Sequence, residues 1–552
     1  MIIDTYIDVV NLKEKLKFWL KNQLEHMIQD YYVLFFSYGN RDKRCQVWST
    51  GDKEKTVVIK KFLNFIDKYY EKNRHLPEYL KFDIAVNIQK QSWSDIVKII
   101  QTQKHNNHYR KGISFTEDFS INFLEQELYG KAIIKGLVYN QPNFVDEKNL
   151  NDAIKSKYSH LKVNYSLKDI KQIWSFDTLS CFYEHGELLD LDSLGSFHGV
   201  RKVQNDKKEH IKKIVLANAR FLHQQIKDNG QFVYGYFPAY AREIKGYNTV
   251  RHCTSLYALL ETLEVEYKEQ YLEKIVLGMK YALDHFYQEV NGKAYIVERS
   301  GDKAEIKLGA NAAAIFMFSK YQELTQDSQY QKYAEKLADG ILSLIDAQGE
   351  TTHVLHYPSL EVKEKFRIVY YDGEAALGLL RLYQLNHDLK LLNTVKLMFE
   401  HFISKNYEKY HDHWLSYCSN ELTKICPEEK YYQFGLNNYL KHMSFIRERK
   451  TAYSTFLEMM MSAYKMVTRM QKEGLIHLLE QAKFDALQDL IEWRVEFQRT
   501  GFCYPEVAMY MAKPILALDG FYVRHDRFRM RIDDQEHNLS GYIAYLNYFD
   551  TP

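Results

Sequence analysis

Two segments place acidic, histidine and arginine side chains where a helix is predicted to begin. Tyr370-Tyr371-Asp372-Gly373-Glu374 carries two carboxylates two residues apart, directly before an apolar run. The second segment is Arg527-Phe528-Arg529-Met530-Arg531-Ile532-Asp533-Asp534-Gln535-Glu536-His537, in which arginines alternate with apolar residues before two acids and a histidine. Free backbone N–H groups at a helix start favour ionised carboxylates there. Both segments are therefore candidates for acid–base chemistry.

Two kinds of reaction suit these residue types. Glycoside hydrolysis requires a protonated acid on the leaving oxygen and a second carboxylate, and Glu374 with Asp533 or Asp534 supplies such a pair. Sugar epimerisation or uronate elimination instead requires a base that removes a carbon-bound proton, for which His252, His537 or a tyrosine qualifies. Arginine would then hold a carboxylate or an oxygen of the substrate. The residues alone leave both reactions open.

Other polar and aromatic side chains fall near predicted helix starts and are candidates for substrate binding. They are Arg251, His252, Tyr236, Asn311, Tyr371, Asp372, His413, Arg449 and Arg531. Each has a structural alternative, because acids cap helices, lone histidines pack in cores and arginines pair with nearby acids. His411-Asp412-His413 has metal-capable side chains but no third ligand in sequence, so no metal site is predicted. The phosphate-binding patterns GxxxxGK[ST] and strand-linked GxGxxG do not occur, and no cofactor is predicted.

A loose repeat positions these segments along the second part of the chain. A polar lead-in opens a small-residue-rich apolar helix at 250–260, 308–315 and 370–380, and an amphipathic segment follows each one. The unit is a helical hairpin with one buried and one surface helix. Surface helices are predicted at 208–228, 270–289, 328–346, 388–404, 430–444 and 472–497. Inner helices are predicted to begin near 251, 309, 373, 413, 451 and 537.

The first part of the chain has a different pattern. Helices are predicted at 11–30, 55–72 and 93–102, and strands at 31–38, 45–49 and 80–88. We expect an α+β N-terminal module at 1–170, a linker at 171–206 and a helical domain at 207–552.

The helical part resembles the (α/α)6 toroid, the six-hairpin architecture of several glycoside hydrolases, some polysaccharide lyases and the sugar 2-epimerases. The resemblance covers roughly residues 207–550 and rests on the repeat, the aromatic richness and the acids near helix starts. It implies a closed ring with a substrate pit at one end, lined by inner-helix starts and long connectors. The predicted fold class is mainly α, with an (α/α)6-type toroid preceded by a smaller α+β N-terminal domain.

Composition limits the classes of partner. Lys+Arg 74 against Asp+Glu 72 gives a net charge of +2, so no overall field favours nucleic acid or an acidic membrane. The six cysteines lack CxxC spacing, which fits reduced thiols, and residues 1–8 lack the basic and apolar pattern of a signal peptide. We expect a cytoplasmic protein that does not act on membranes or nucleic acid.

Two classes of function remain from the sequence. The first is a carbohydrate-active enzyme, with glycosidase-like hydrolysis of an acidic or oligomeric sugar as the main hypothesis and a sugar epimerase or uronate lyase as the alternative. The second is a non-catalytic helical scaffold that binds a protein or peptide. A peptide-modifying cyclase fits less well, because a zinc-binding cysteine pattern is missing. A closed ring with acids and histidines at one end favours the enzyme, and an open superhelix favours the scaffold.

Overall fold

The chain folds into two compact units. The computed structural model describes residues 2–103, 107–128, 133–135, 142–161, 163–203 and 206–549, with side chains from residue 8 onward. The first unit comprises Met1–Asp206, Tyr236–Glu243 and Arg499–Met530, and the second comprises Lys207–Gly235, Ile244–Gln498 and Arg531–Pro552.

The first unit is built on an antiparallel sheet. The strands within residues 1–206 are β1 (Tyr32–Asn40), β2 (Lys43–Asp52), β3 (Tyr79–Ser92), β4 (Gly112–Ser114), β5 (Asn122–Phe123), β6 (Ile134–Lys135), β7 (Phe144–Val145), β8 (Gln172–Glu184) and β9 (Glu187–Asp190). The strand order of the sheet is β2-β1-β3-β8-β4-β5, with β9 paired to β8, and β6 and β7 form a separate pair. Its first four helices are α1 (Ile2–Leu24), α2 (Lys55–Asn73), α3 (Trp93–Thr102) and α4 (Glu147–Lys157). Strand β1 is apolar throughout its first half because Leu34 and Phe36 pack in one core and Val33 and Phe35 in another.

The region predicted as a linker, 171–206, instead contains β8 and β9. Strand β8 lies in the middle of the sheet, between β3 and β4. Its polar residues Ser175, Thr178 and Ser180 are buried and hydrogen-bonded, so the strand lacks the apolar alternation by which a strand is recognised. Residues 499–530, predicted as part of the toroid, also belong to the first unit, where the backbone N–H of Cys45 donates to the carbonyl of Met509 at 2.8 Å.

The second unit is a closed double ring of helices. Each inner helix packs against the next, and the last packs against the first. The inner helices are α6 (Thr249–Val265), α8 (Leu308–Thr325), α10 (Tyr370–Asn386), α12 (His413–Ile425), α15 (Thr455–Glu473) and α19 (Ile532–Tyr548). The outer helices are α5 (Lys207–Gln224), α7 (Glu269–His285), α9 (Gln331–Leu342), α11 (Leu389–Ser404), α13 (Glu429–Leu440) and α17 (Phe484–Arg499). The predicted (α/α)6 ring is confirmed.

Shorter elements complete the chain. They are the helices α14 (Met443–Glu448), α16 (Ile476–Ala482) and α18 (Pro505–Ala508), and the strands β10 (Gly235–Phe237), β11 (Arg242–Glu243), β12 (Tyr287–Val290), β13 (Lys293–Ser300), β14 (Lys303–Lys307), β15 (Val354–His356), β16 (Val362–Glu364) and β17 (Met530–Arg531). Strands β12 to β16 form one antiparallel sheet in chain order. The surface helix predicted at 472–497 is interrupted, because Gly474 and Lys483 both adopt left-handed backbone conformations.

Over the residues described, we find no helix that combines the length and the apolar character needed to cross a membrane.

Candidate functional site

Acidic, histidine and arginine side chains from five of the six inner helices meet at one end of the ring. Every one of them lies within the first two turns of its helix. The members are Arg251 on α6, Glu374 on α10, His413 on α12, Glu458 on α15, and Asp533, Glu536 and His537 on α19. We call these seven residues the helix-start cluster. Because residues from the first turns of these helices contact one another, the inner helices begin at the same end of the ring.

Two arginines hold one carboxylate at the edge of the cluster. Arg251 Nε and Arg531 Nη2 both donate to Asp533 Oδ2, at 2.7 and 2.8 Å. Arg251 Nη1 also donates to the hydroxyl oxygen of Tyr234 at 2.6 Å. The Arg251 side chain remains 32% exposed, so solvent reaches this edge. Both guanidinium groups face Asp533, so these donors are directed at a carboxylate of the protein itself.

Two histidines lie in contact at the centre of the cluster. The ring centroids of His413 and His537 are 5.2 Å apart, with the planes nearly perpendicular at 84°. A carboxylate faces Nδ1 of each ring: Glu458 Oε2 lies 2.9 Å from His537, and Asp412 Oδ1 lies 3.3 Å from His413. Nε2 of His413 has no hydrogen-bond partner among the described residues. The His537 ring is therefore oriented by a hydrogen bond at Nδ1, whereas Asp412 Oδ1 lies near His413 Nδ1 without a hydrogen bond.

Burial and neighbouring charge change the protonation of this site. Burial lowers the pKa of His537, but the negative charges of Glu536 and Glu458 outweigh burial and raise the pKa to about 10. Burial also raises the pKa of Glu536 to about 8, although His537 and a hydrogen bond from Thr254 oppose the shift. Around neutral pH His537 is a cation that can donate a proton.

Glu374 is a neutral carboxylic acid in this environment. Burial, with repulsion from Asp412 and Glu536, raises the pKa of its carboxyl well above the usual range. Its Oε2 atom is buried and has no hydrogen-bond partner among the described residues. A protonated carboxyl group with an unsatisfied oxygen can donate or accept a hydrogen bond from a bound molecule.

Glycines make room for the cluster between adjacent inner helices. A Cβ atom on Gly309 of α8 would lie 1.8 Å from Oε2 of Glu374, and one on Gly373 of α10 would lie 2.6 Å from Cβ of Trp414. These glycines are in helices and are needed for close approach, not for an unusual backbone angle. They occupy the lead-ins of the sequence repeat, so the lead-ins also shape the site.

We expect Gly309→Ala to damage the site. Glycine to alanine in a helix is usually stabilising by about 0.5–1 kcal/mol, but here the methyl group must displace Glu374, at a cost of about 1–3 kcal/mol. Both the turnover and the melting temperature of the Gly309→Ala variant should be lower than those of the wild type. The control is Gly378→Ala on α10, whose added carbon would meet Ala312 at 3.3 Å and no cluster residue. Equal loss of activity in both variants would mean that helix packing, and not Glu374, is responsible.

We also expect His537 to titrate far above a free histidine. In protein carrying 13C-labelled histidine, its Cε1 signal should show a cation at pH 8 and a midpoint near 10. A histidine with a raised folded-state pKa stabilises the fold fully below about pH 6.5, and this contribution is lost as pH rises towards 10. Glu458→Gln should lower the midpoint, since it removes the nearest negative charge. A wild-type midpoint near 6.5 would contradict the assignment.

Three predicted substrate-binding residues lie outside the cluster, with their polar atoms already used. His252 is buried between the hydroxyl of Tyr247 at 2.7 Å and the carbonyl of Gly278 at 2.9 Å, and burial lowers its pKa to about 4. Asn311 joins the backbone of Ile296 to that of Lys307. The polar atoms of both side chains are thus engaged within the fold, away from the cluster.

Asp372 is the third. Its carboxylate accepts hydrogen bonds from Thr351 Oγ1 at 2.6 Å and from His353 Nε2 at 3.2 Å. It is buried beneath a connector rather than directed at the histidines. Glu374, two residues later, points into the cluster because two positions on a helix are separated by about 200°.

The remaining predicted residues are distributed around the site or away from it. Tyr371 lies near Glu374, and burial raises the pKa of its phenol. Asp534 accepts from the backbone N–H of Arg531 at 2.8 Å and so caps α19. Arg449 donates to Thr451 and stacks on Phe445 and Tyr453.

Tyr236 belongs to the first unit, where it lies opposite Glu243 in the β10–β11 pair.

Sequence reasoning missed two acids of the cluster. Glu458 is buried in the first turn of α15, which is the same signal that singled out Glu374. Glu536 stood within the polar segment but received no role. Trp414 was also missed, and its ring lies 6.3 Å from His537 and 4.7 Å from His413. An acid in the first turn of an otherwise apolar inner helix therefore indicates, from the sequence, a member of the helix-start cluster.

Among the described residues, one group of three side chains could hold a metal ion. Candidate ligand atoms of His413, Glu458 and His537 all lie within 4.8 Å of one another. Two histidines and one carboxylate form a suitable ligand set for zinc or iron. However, Glu458 already faces Nδ1 of His537, and the raised pKa of His537 keeps that ring protonated, which opposes metal binding.

No family model matches the chain, and no curated protein matches it in sequence. Solved structures with a similar fold include a D-mannose isomerase, with 11% identity over 63% of this chain and 100% of that chain and a TM-score of 0.47. Cellobiose 2-epimerase from Bacillus thermoamylovorans B4167 has 12% identity over 62% and 100%, with a TM-score of 0.47. The GH76A alpha-1,6-mannanase from Salegentibacter sp. HEL1_6 has 13% identity over 60% and 98%, with a TM-score of 0.41. Likeness at this level says nothing about activity.

Proposed function

We propose that the second unit is a sugar-processing enzyme that moves a carbon-bound proton with two histidines. The contact between His413 and His537, each with a carboxylate at Nδ1, carries this proposal. Such an arrangement supplies two oriented acid–base groups at one point, as epimerisation or isomerisation next to a carbonyl requires. The chemistry needs no redox cofactor, because removing one proton from carbon and adding another leaves the overall oxidation state of the sugar unchanged.

The two histidines have different starting roles. His413, whose Nε2 lacks a partner among the described residues, accepts the proton from the carbon next to the carbonyl of an open-chain sugar. The electron pair of the broken C–H bond forms the C=C bond of an enediol while Glu374 gives its proton to the carbonyl oxygen. His537, held as a cation, then gives a proton to carbon, and the enediol O–H that becomes the new carbonyl returns its proton to Glu374. Addition to the same carbon from the opposite face inverts it, and addition to the former carbonyl carbon isomerises the sugar. His413 then loses its proton to solvent and His537 regains one, which completes the cycle.

Other members of the cluster assist the oxygen atoms. Glu374 is protonated and unsatisfied, so it can donate a hydrogen bond to the carbonyl oxygen as charge develops there. Arg251 and Arg531 share Asp533, which fixes two guanidinium groups near the exposed edge. This part of the site suits sugar hydroxyl groups better than a carboxylate.

A neutral sugar fits the charge of the site. Both nearby arginines face Asp533, and the raised pKa values of Glu374 and Glu536 favour their uncharged forms. The Trp414 ring lies 4.7 Å from that of His413 and 6.3 Å from that of His537, so an aromatic surface borders the two histidines, as suits a sugar ring. The acidic substrate considered from the sequence is therefore not favoured for this unit.

Glycoside hydrolysis is the second candidate. The raised pKa of Glu374 is what a general acid needs. Its proposed partners are engaged, because Asp533 lies between two guanidinium groups and Asp534 caps a helix. A non-catalytic scaffold is disfavoured by the closed ring.

Proton exchange with solvent tests the proposal. Full-length protein is incubated in D2O with a panel of aldoses, ketoses and reducing disaccharides, and deuterium at the carbon next to the carbonyl is followed by NMR. We expect incorporation together with signals of a new epimer or ketose. Both should disappear in His413→Asn, while His387→Asn, at an exposed histidine outside the cluster, serves as the control.

The outcomes separate the candidates. New reducing ends from glycosides without carbon-bound deuterium would overturn proton transfer in favour of hydrolysis. A stable fold with neither reaction on the panel would favour the scaffold. Activity retained after dialysis against a chelator would exclude a metal held by His413, Glu458 and His537.

A further inference from the structure

The first unit contains a cleft of about 810 Å³ beside the edge strand of its sheet. The β1–β2 hairpin, the C-terminal half of α2 and the segment 75–78 form its walls. Three aromatic rings form its floor: Tyr38 lies 5.0 Å from Tyr69 and 6.1 Å from Phe65, measured between centroids. This volume is in the range of small-ligand sites.

The cleft is strongly basic. Lys43, Arg44, Lys68 and Lys72 line it, against a single acid, Glu78. The lysines form no ion pair with any described residue, and Lys68 and Lys72 are one helical turn apart on the same face of α2. Glu78 is already neutralised, because Arg41 donates to it from its backbone and from Nε at 3.3 and 2.9 Å. The three lysines thus line an open cleft without an ion-pair partner among the described residues.

A second cleft of about 1020 Å³ adjoins the first and shares Tyr38, Arg44 and Gln46 with it. Here the lysines are paired: Lys157 with Glu127 at 2.8 Å and Lys135 with Asp146 at 2.7 Å. Amide and hydroxyl groups complete the lining together with Trp48.

A stacked pair of rings separates the two clefts. Trp48 lines the second cleft and stacks on Phe65 of the first, with centroids 4.0 Å apart and planes at 8°. On either side of this ring pair the walls differ, cationic and aromatic in the first cleft and neutral and hydrogen-bonding in the second, and the clefts meet at the shared residues Tyr38, Arg44 and Gln46.

We propose that these two clefts bind an anionic oligosaccharide. Its carboxylate or sulfate groups lie against Lys43, Lys68 and Lys72, and its uncharged rings continue along Trp48 into the second cleft. Aromatic floors suit the apolar faces of sugar rings, and lysines attract anions without demanding one geometry. This binding function belongs to the first unit and does not depend on the reaction of the second.

Nucleic acid fits the same path less well. A single strand carries a phosphate at every residue, so its charge continues along its whole length. In the second cleft those phosphates would meet Glu127 and Asp152, while the lysines there are already paired. A glycan with charge at one end avoids this repulsion.

Calorimetric titration of the full-length protein tests the proposal. The probes are cellotriose carrying one glucuronate at its non-reducing end, cellotriose carrying one sulfate there, neutral cellotriose and a ten-residue uridine RNA. We expect binding of the glucuronate probe, the sulfate probe or both, with carboxylate and sulfate distinguished by their relative affinity, and no binding of cellotriose. Lys68→Gln with Lys72→Gln should weaken binding about tenfold or more, since contacts to charged groups are lost.

Lys60→Gln is the matched control, because Lys60 is an exposed lysine of α2 outside both clefts. Asn149→Ala tests the second cleft and should weaken the longer ligand more than a monosaccharide acid. Equal affinity for cellotriose, an unchanged affinity in the double lysine variant, or no binding of either acidic glycan would overturn the proposal. Tighter binding of the RNA would reassign the clefts to nucleic acid.

Discussion

His537→Asn is expected to abolish turnover while leaving the ring folded. Asparagine cannot carry a proton in the physiological range, so the step that returns a proton to carbon is lost. General acid–base catalysis contributes about 10²–10⁴-fold, and kcat should fall by a factor in that range. Affinity for a sugar product, measured by calorimetry, should change much less. The rate constant and the deuterium incorporation are measured on the same sample.

His387→Asn is the control for this substitution. His387 is an exposed residue with a left-handed backbone conformation at the end of α10, where asparagine is well tolerated. Its kcat should equal that of the wild type. If His537→Asn keeps more than a tenth of wild-type turnover, His537 is not the proton donor. If it also lowers the melting temperature strongly, Glu458→Gln separates the two effects, since it leaves the ring in place and changes its charge.

The helical periodicity predicted most of the ring, for a physical reason. Inner helices such as α8 are apolar nearly all round because they are buried on all sides, and outer helices are amphipathic because one face meets solvent. These patterns are local and can be read directly. The start of α12 at His413 was predicted to the residue because Asp412 caps the helix through the backbone N–H of Leu415.

The division into units depends on contacts between distant residues and has no local signature. The hydrogen bond from Cys45 to Met509 joins segments that are far apart in the chain, so composition near residue 510 does not indicate it. Strand β8 was missed because its buried hydroxyl groups are hydrogen-bonded inside the sheet: Ser180 donates to Asp83 at 2.6 Å, and its oxygen lies 3.1 Å from the hydroxyl of Thr178. From the sequence alone, a strand whose buried residues are polar cannot be distinguished from a loop.

The candidate site was predictable only in part for a related reason. Helix starts attract acids in any protein, so sequence cannot separate the cap Asp372 from the cluster residue Glu374. The two side chains point in different directions. Asp372 accepts a hydrogen bond from Thr351, whereas Glu374 lies near Glu536 and His537. The pairing of His413 with His537 was equally invisible, because it joins two helices 124 residues apart along the chain and requires the ring to close.

Glu374→Gln is expected to reduce turnover and to stabilise the protein at the same time. Glutamine keeps the shape and the neutrality of the buried acid but cannot deliver a proton, so kcat should fall by about 10²-fold. Removing the carboxyl group also removes the cost of ionising it in a buried site. Since its folded-state pKa is raised above the ordinary 4.5, wild-type stability decreases as pH rises from 4.5 through the raised value. The stability gained by the variant should therefore grow with pH across this window.

Melting temperatures of both proteins between pH 5 and 8 measure this effect, and Glu448→Gln at an exposed position provides the control. If the melting temperature of Glu374→Gln exceeds that of the wild type by the same amount at every pH, packing and not ionisation is responsible. Turnover within twofold of wild type would remove Glu374 from the mechanism and leave the two histidines to act with the arginine pair. A large loss of activity together with a gain that increases with pH would instead identify Glu374 as a residue held in an unfavourable environment for the sake of its proton, as expected for a functional acid.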